Sequence, residues 1–556
     1  MDKPWYRSYA KGIPHTLKYE STNMSQALHR TTGEFPEKTA LIFIDSKINY
    51  KQLNDMSNRF ASALIDLGVK PGDKVAMLLP NMPQLVIATY GAWRAGAVVV
   101  MNNPLYTDKE LEYQFNNSES SLLVTLDLLG PRMIALQPKT PIKKIIVAHI
   151  RDHLKFPKKQ LLPIVAKDKH RNIPPTPGVY EWMDLLRKYP AKDPNIQVDF
   201  ESLASLQYTG GTTGVSKGVM LTHANLSKNV QQIISWFAGL KRGEITQLGA
   251  LPFFHSFGLT TCMNVCTWMG WTDVLIPRPE PEALLEAVHK YKVNFFPAVP
   301  TMYVGVLNHP KASQYNLTSI QGCFSGAAPL PVEVIKAFES KTGSQICEGY
   351  GLSETSPVAT TNPWGGVTKV GSIGLPVPDT DIKIVDLIEG TKEVLAGEAG
   401  ELLIKGPQVT QGYYKMPEET KIAIRDGWLY TGDIGKMDEE GYFYIVDRKK
   451  DMIIAGGYNI YPREIDEVLF EHPKILEACA IGIPDPYRGE TVKAFVVLKP
   501  GEKMTAEEVI QYCQEKLARY KVPKIVEFID SLPKSGVGKI LRKELKAAEL
   551  AKMKKV

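Results

Sequence analysis

"YTGGTTGVSKG", Tyr208–Gly218, packs four glycines, three threonines, one serine and one lysine into eleven positions, with almost nothing apolar to bury. Such a stretch is not core. Glycines let backbone N–H groups close on an anion, threonine hydroxyls add donors and a lysine brings charge, so the composition suits a phosphate loop. Taken alone, it also reads as a flexible surface loop. The Walker A motif places glycine directly before its lysine, and here Ser216 stands in that place. A P-loop fold is therefore not expected.

Outward from that loop, the N-terminal half alternates two patterns. "YKQLNDMSNRFASALIDLG" carries apolar residues at helical spacing and stops at Gly68. Strand-like "KVAMLLP", helix-like "PQLVIATYGAWRAG", strand-like "AVVVMNN", helix-like "DKELEYQFNNSES" and strand-like "SLLVTLD" follow in order. Strands separated by helices predict an α/β fold, a large N-terminal domain of doubly wound parallel sheets. Residues 150–200 are polar, proline-bearing and irregular, and read as a surface excursion. Past residue 365, short strands and turns such as "GEAGELLIKGP" suggest a small β subdomain. A charged cluster, Asp447–Asp451, then precedes an amphipathic helix starting at Pro462 and a strand, strand, helix, strand succession. That C-terminal part reads as a small α+β domain of roughly a hundred residues, with the boundary near Arg448.

Bulk properties narrow the function. A chain of 556 residues is too long for one core. Its 66 basic residues against 60 acidic give only +6, so nucleic-acid binding is not implied. Six cysteines stand singly apart from the Cys262/Cys266 pair and form neither a disulfide framework nor a zinc site. They read as buried thiols of a reducing, cytoplasmic compartment. The N-terminus has no apolar run of signal-peptide type. Between Glu244 and Asp273 there is no Asp, Glu, Lys or Arg, long enough to span a bilayer, but Pro252, His255, Asn264 and several glycines and threonines break it. A buried strand, loop and helix lining a pocket is the better reading, with no transmembrane segment.

The glycine-rich loop has company. "YGLSET" (Tyr350–Thr355), "YTGD" (Tyr430–Asp433), "DRKKD" (Asp447–Asp451) and "KSGVGKILR" (Lys534–Arg542) follow it in that order. Together the five resemble the AMP-forming acyl-activating enzymes: acyl-CoA synthetases, firefly-type luciferases and peptide-synthetase adenylation domains. The resemblance runs from about Met24 to Leu545, and "GGYNIYPREIDEVL" and "RYKVPK" look most like the fatty acyl-CoA synthetase branch. It implies a two-step ligation: a carboxylate attacks the α-phosphorus of ATP, giving an acyl-adenylate and pyrophosphate, and the thiol of coenzyme A then displaces AMP. Two anions must meet, so cations and donors have to offset their repulsion, with Mg²⁺ as the expected metal.

Carried over by resemblance, Thr209, Gly210, Gly211, Thr212, Thr213, Gly214 and Lys217 wrap the β- and γ-phosphates. Glu354 and Thr209 are the expected Mg²⁺ ligands, and Thr355 the α-phosphate donor. Tyr350 lies against the adenine, with Gly326, Ala327 and Ala328 of "SGAAP" on its other side. Asp433 accepts from the ribose hydroxyls, assisted by Arg448. Read alone, Asp433 is a turn residue and Tyr350 a core aromatic. Lys539, otherwise a solvated charge, reaches the α-phosphate and carboxylate. The expected division is an N-terminal ATP- and acyl-binding domain over 1–446, a hinge over 447–451 pivoting at Lys450, and a mobile C-terminal domain over 452–556. After rotation, Gly456 and Gly457 approach the pantetheine tunnel.

"PFFHSFGL" is where relatives hold the acyl group. His255 is expected beside the substrate carboxylate, with Phe254, Phe257, Gly258 and Leu259 around the chain. Peptide-synthetase domains usually place an aspartate shortly after this motif; here the nearest acid is Asp273. The resemblance thus implies an acid-thiol ligase for an apolar carboxylic acid, medium- or long-chain fatty acids first and aromatic or alicyclic acids next. A fatty-acid-binding or membrane-associated carrier without catalysis is the reading of another class, and would not need Glu354, Asp433 and Lys539 together. Partners are the acid, ATP and coenzyme A, with no nucleic acid; a homodimer is common among relatives.

Overall fold

The computed structural model describes residues 3–209, 216–455, 458–535 and 540–553. A seven-stranded sheet runs from Val179–Glu181 at one edge through Lys144–Ala148, Leu122–Leu126, Lys74–Leu78, Val98–Met101 and Leu203–Thr209 to Lys217–Thr222. All its pairings are parallel except the last, where Tyr208 stands opposite Gly218 and Thr209 opposite Lys217. The helices before and between these strands occupy the spans expected of them: Tyr50–Asp66, Pro83–Arg94 and Asp108–Ser118. Asn49 and Thr107 cap the first and third with reciprocal capping boxes, and Gly68, at φ +86°, makes the left-handed stop after the first.

A nine-stranded sheet forms the second layer set, in the order Leu375–Pro376, Val358–Thr361, Gln345–Gly351, Gly322–Ser325, Phe295–Ala298, Thr246–Gly249, Thr272–Leu275, Thr39–Phe43 and Ser46–Asn49. Its centre is parallel and its two ends antiparallel. The uncharged stretch resolves into the buried strand Thr246–Gly249, a loop, and helical turns from Ser256 to Met269. Among the described residues no helix is long and apolar enough to cross a membrane.

Two five-stranded sheets complete the chain. The first, built from Asp381–Val385, Gly400–Lys405, Ile424–Arg425, Trp428–Met437 and Phe443–Arg448, is the expected β subdomain. The second contains the long hairpin Ile475–Asp485/Gly489–Leu498 and has its own apolar core around Ile465, Ala478, Val496 and Val509. Pro462 opens the helix Pro462–Phe470 as read from the sequence. The excursion after residue 150 is only partly irregular: Val179–Glu181 joins the seven-stranded sheet and Trp182–Lys188 is a helix whose Trp182 is buried. A three-residue strand gives too short an alternation to be legible in sequence. All six cysteines are free and buried.

Candidate active site

The phosphate-loop candidate connects two antiparallel strands. Thr209 ends Leu203–Thr209, and Lys217 begins the returning strand. Gly210, Gly211, Thr212, Thr213 and Gly214 lie outside the described residues. A Walker loop leads from a strand into a helix with its lysine at the helix start; here the lysine sits on a strand, which agrees with the sequence argument against a P-loop fold.

Lys217 is paired with the Glu419 carboxylate, and its ammonium lies 5.0 Å from the centre of the Tyr413 ring. The Tyr413 hydroxyl donates to Glu354 Oε1 at 2.8 Å, and the Thr410 amide donates to the Glu354 carbonyl at 2.7 Å. Burial pushes the Glu354 carboxyl above the usual carboxylate range, and the Tyr413 bond partly offsets it. A carboxylate here, with threonine hydroxyl and phosphate oxygens, is a hard-oxygen set suited to Mg²⁺. Thr355 is buried, and its hydroxyl bonds Leu352 and Pro357 within its own turn.

The nucleoside candidates converge from three elements. Tyr350, at the end of Gln345–Gly351, donates its hydroxyl to Asp433 Oδ2 at 2.5 Å. Arg448 Nε lies 3.2 Å from Asp433 Oδ1, because Asp433 and Arg448 face each other across the antiparallel pair Trp428–Met437/Phe443–Arg448. Asp433 is only 4% exposed. Burial and then the Asp433 charge push the Tyr350 phenol well up. Gly326, Ala327 and Ala328 turn away from the strand Gly322–Ser325, with Ala327 held in the left-handed region at φ +71°.

The His255 motif is stitched to the "YGLSET" turn. The Ser256 and Ser353 hydroxyls are 3.2 Å apart, and Thr260 donates to the Ser356 carbonyl at 2.7 Å. His255 Nδ1 accepts from the Phe257 amide at 3.2 Å, capping the short helix Ser256–Gly258. Gly258 has no room for a side chain: a Cβ there would stand 2.3 Å from the Pro252 carbonyl oxygen. The Phe257 ring packs edge-on to Phe324, and Leu259 is fully buried at the start of a π-helical turn, Leu259–Asn264. Phe254 is half-buried against the main core. An apolar cavity of about 10 Å³ lies between Phe237, Val265, Met269, Trp271 and Phe295. It has room for about one water molecule and is lined by none of the four expected acyl-pocket residues.

Lys539, Gly456 and Gly457 lie outside the described residues. At the expected hinge, burial pulls the Lys450 ammonium down and Arg448 adds repulsion. The helix Pro462–Phe470 is tied to the strand Phe443–Arg448: the Arg463 amide donates to Asp447 Oδ2 at 2.8 Å, and Arg463 Nη1 to the Ile445 carbonyl at 2.6 Å. Sequence reading missed Tyr413 and Glu419. A "QGYYK" run between subdomains carries no periodic signal, and only the fold brings it to Glu354. It also passed over the role of Asp273 as more than the end of an uncharged run. That carboxyl is buried on Thr272–Leu275 with neither oxygen bonded, and burial pushes it to about 8.

The family model described as AMP-binding enzyme matches residues 28–414, and the AMP-binding enzyme C-terminal domain matches residues 464–539. A long-chain-fatty-acid–CoA ligase of Bacillus subtilis (strain 168) is 46% identical over 547 residues, 98% of this chain and 97% of that one. Among solved structures, the anthranilate CoA ligase AuaEII in complex with anthranoyl-AMP matches with a TM-score of 0.86 at 28% identity, over 97% of this chain and 99% of that one. ATP-bound MatB from Rhodopseudomonas palustris matches with a TM-score of 0.83 at 29% identity, over 95% of this chain and 99% of that one.

Proposed function

The chain belongs to the AMP-binding enzyme family, and on that premise we propose that it is an ATP-dependent acyl-CoA ligase for medium- or long-chain fatty acids. The observation that carries this is the convergence of Tyr350, Asp433 and Arg448 beside Glu354, Tyr413 and Lys217. One group is a ready nucleoside cradle and the other a hard-oxygen and cation site for a triphosphate. Mg²⁺, held by Glu354 and Thr209, would supply charge neutralisation at the phosphates. Asp433 accepts from the ribose, Tyr350 and the Gly326–Ala328 turn flank the base, and Lys217 exchanges Glu419 for phosphate oxygens. Lys539 meets the α-phosphate and carboxylate as the adenylate forms, which places a cation where two anions approach.

The same reading divides the chain into an N-terminal domain over 1–446, a hinge over 447–451 and a mobile domain over 452–556. The separate apolar core of the last unit supports the division. Rotation about Lys450 then brings Gly456 and Gly457 to the adenylate for thiol attack.

The fatty-acid choice rests on the 46% identity to the Bacillus ligase over nearly the whole chain. The structural likeness to the anthranilate CoA ligase AuaEII supports a second reading, an aromatic or alicyclic acid. Pyrophosphate release with ATP, Mg²⁺ and coenzyme A, measured across acetate, straight chains of rising length, benzoate and cyclohexane carboxylate, tests both. A maximum at long chains supports the fatty acid. A maximum at ring acids selects the second reading. No pyrophosphate with any acid overturns ligation.

A further inference from the structure

We propose that the segment 155–169 docks the enzyme on an anionic lipid surface. Between Arg151 and Arg171, seven Lys and Arg stand against two Asp, a surplus of +5 in a chain whose whole net charge is +6. The C-terminal run 534–556 is as basic, with eight Lys and Arg against two Glu, so it is the exposed apolar side chains beside the charge that single out this excursion. Within it, Phe156 is 82% exposed, Ile164 66% and Val165 75%. Leu161, Ile164 and Val165 are spaced three and four apart on the helix Lys158–Val165 and so share its outer face, while Leu162 packs inward against the core. Ile44, also exposed, adjoins them, since Lys158 reaches its carbonyl at 3.3 Å and the Asp45 carboxylate at 2.6 Å.

The excursion is held firmly at its base. Asp127 Oδ2 accepts from His149 Nδ1 at 2.9 Å, His170 Nδ1 at 3.0 Å and the Arg171 amide at 2.8 Å. His149 Nε2 is 2.9 Å from Glu181. Both His149 nitrogens and the Asp127 oxygen are therefore engaged by protein partners, and the cluster is a clamp joining the two ends of the segment. The helix is displayed with apolar side chains outward and exposed Lys155 and Lys169 at its flanks.

That pattern matches an interfacial helix, whose apolar face enters the headgroup boundary while cations meet anionic lipid. A protein partner fits less well. Stable protein interfaces take about 20–30 residues a side, whereas this patch is a handful of side chains on one short helix.

The test is co-sedimentation of the full chain with phosphatidylcholine vesicles and with vesicles containing phosphatidylglycerol. The protein is expected to pellet with the second and not the first. Raising salt from about 0.1 M to about 0.5 M should cut the bound fraction about tenfold, because the screening length shrinks. The triple variant Phe156→Ser, Ile164→Ser, Val165→Ser and, separately, Lys155→Glu with Lys169→Glu should each weaken partitioning about tenfold. Pyrophosphate release with an acid supplied in solution should stay unchanged in both, which also reports that they fold. Equal pelleting with both vesicle types, or wild-type partitioning by both variants, overturns the proposal. Retention on a polyglutamate column without vesicle binding would overturn it in favour of an acidic protein partner.

Discussion

Asp433 offers a sharp way to separate nucleotide holding from everything else in the site. Its Oδ2 accepts from Tyr350 at 2.5 Å and its Oδ1 faces Arg448 at 3.2 Å, so the carboxylate is held by two protein partners. A hydroxyl bonded to a charged acceptor contributes about 1.5–3 kcal/mol. At about 1.4 kcal/mol per tenfold, Asp433→Ala is expected to raise the KM for ATP by about ten- to a hundredfold. Asp433→Asn, which keeps a neutral acceptor in the same place, should fall near the lower end. The cost to folding is smaller. Arg448 is one-third exposed and can turn to water, so the lost pair costs about 1 kcal/mol after screening, a Tm change of about 1–2 °C in a chain this long. The assay is continuous pyrophosphate release with ATP and then the acid varied, alongside a melting curve. An unchanged KM for ATP, or a rise confined to the KM for the acid, would refute the assignment.

Three further outcomes are expected. Lys539→Ala should lower adenylation about 10²–10³-fold while preformed acyl-AMP still yields thioester, and equal loss of both half-reactions would remove its proposed role. Lys450→Pro should slow thioester formation more than adenylation, measured by single-turnover quench, and an unaltered thioester rate argues against a pivot there. Asp273 gives a pH signature. Its carboxyl is neutral in the fold up to about pH 8 but ionises near pH 4 once unfolded, so the stability it contributes is complete in acid, is lost progressively as pH rises from about 4, and is gone by about 8. Asp273→Asn should therefore gain on the wild type between pH 5 and pH 8 by several kcal/mol, roughly 1.4 per unit of pH, and parallel melting temperatures across that range would contradict it.

Much of the architecture was legible because its signals are local. Helix periodicity, capping boxes at Asn49 and Thr107, and the stop at Gly68 each depend on a few neighbouring residues. The missing glycine before Lys217 likewise excluded a strand-to-helix phosphate loop, and the hairpin Leu203–Thr209/Lys217–Thr222 agrees. What escaped depends on distance in the chain. Tyr413 meets Glu354 across 59 positions, and Lys217 meets Glu419 across 202. Asp273 looked like the charged end of an apolar run, yet it is an unbonded carboxyl inside it, which only burial reveals.

The antiparallel pairing of Asp433 with Arg448 has a mechanical meaning. Arg448 closes the last strand before the proposed pivot at Lys450, so the proposed grip on the ribose and the proposed axle of the small domain are two residues apart. A body swinging about that point sweeps its far surfaces through a large arc while the nucleotide end barely travels. On that proposal the enzyme would exchange the wall of its reaction chamber without letting go of the intermediate.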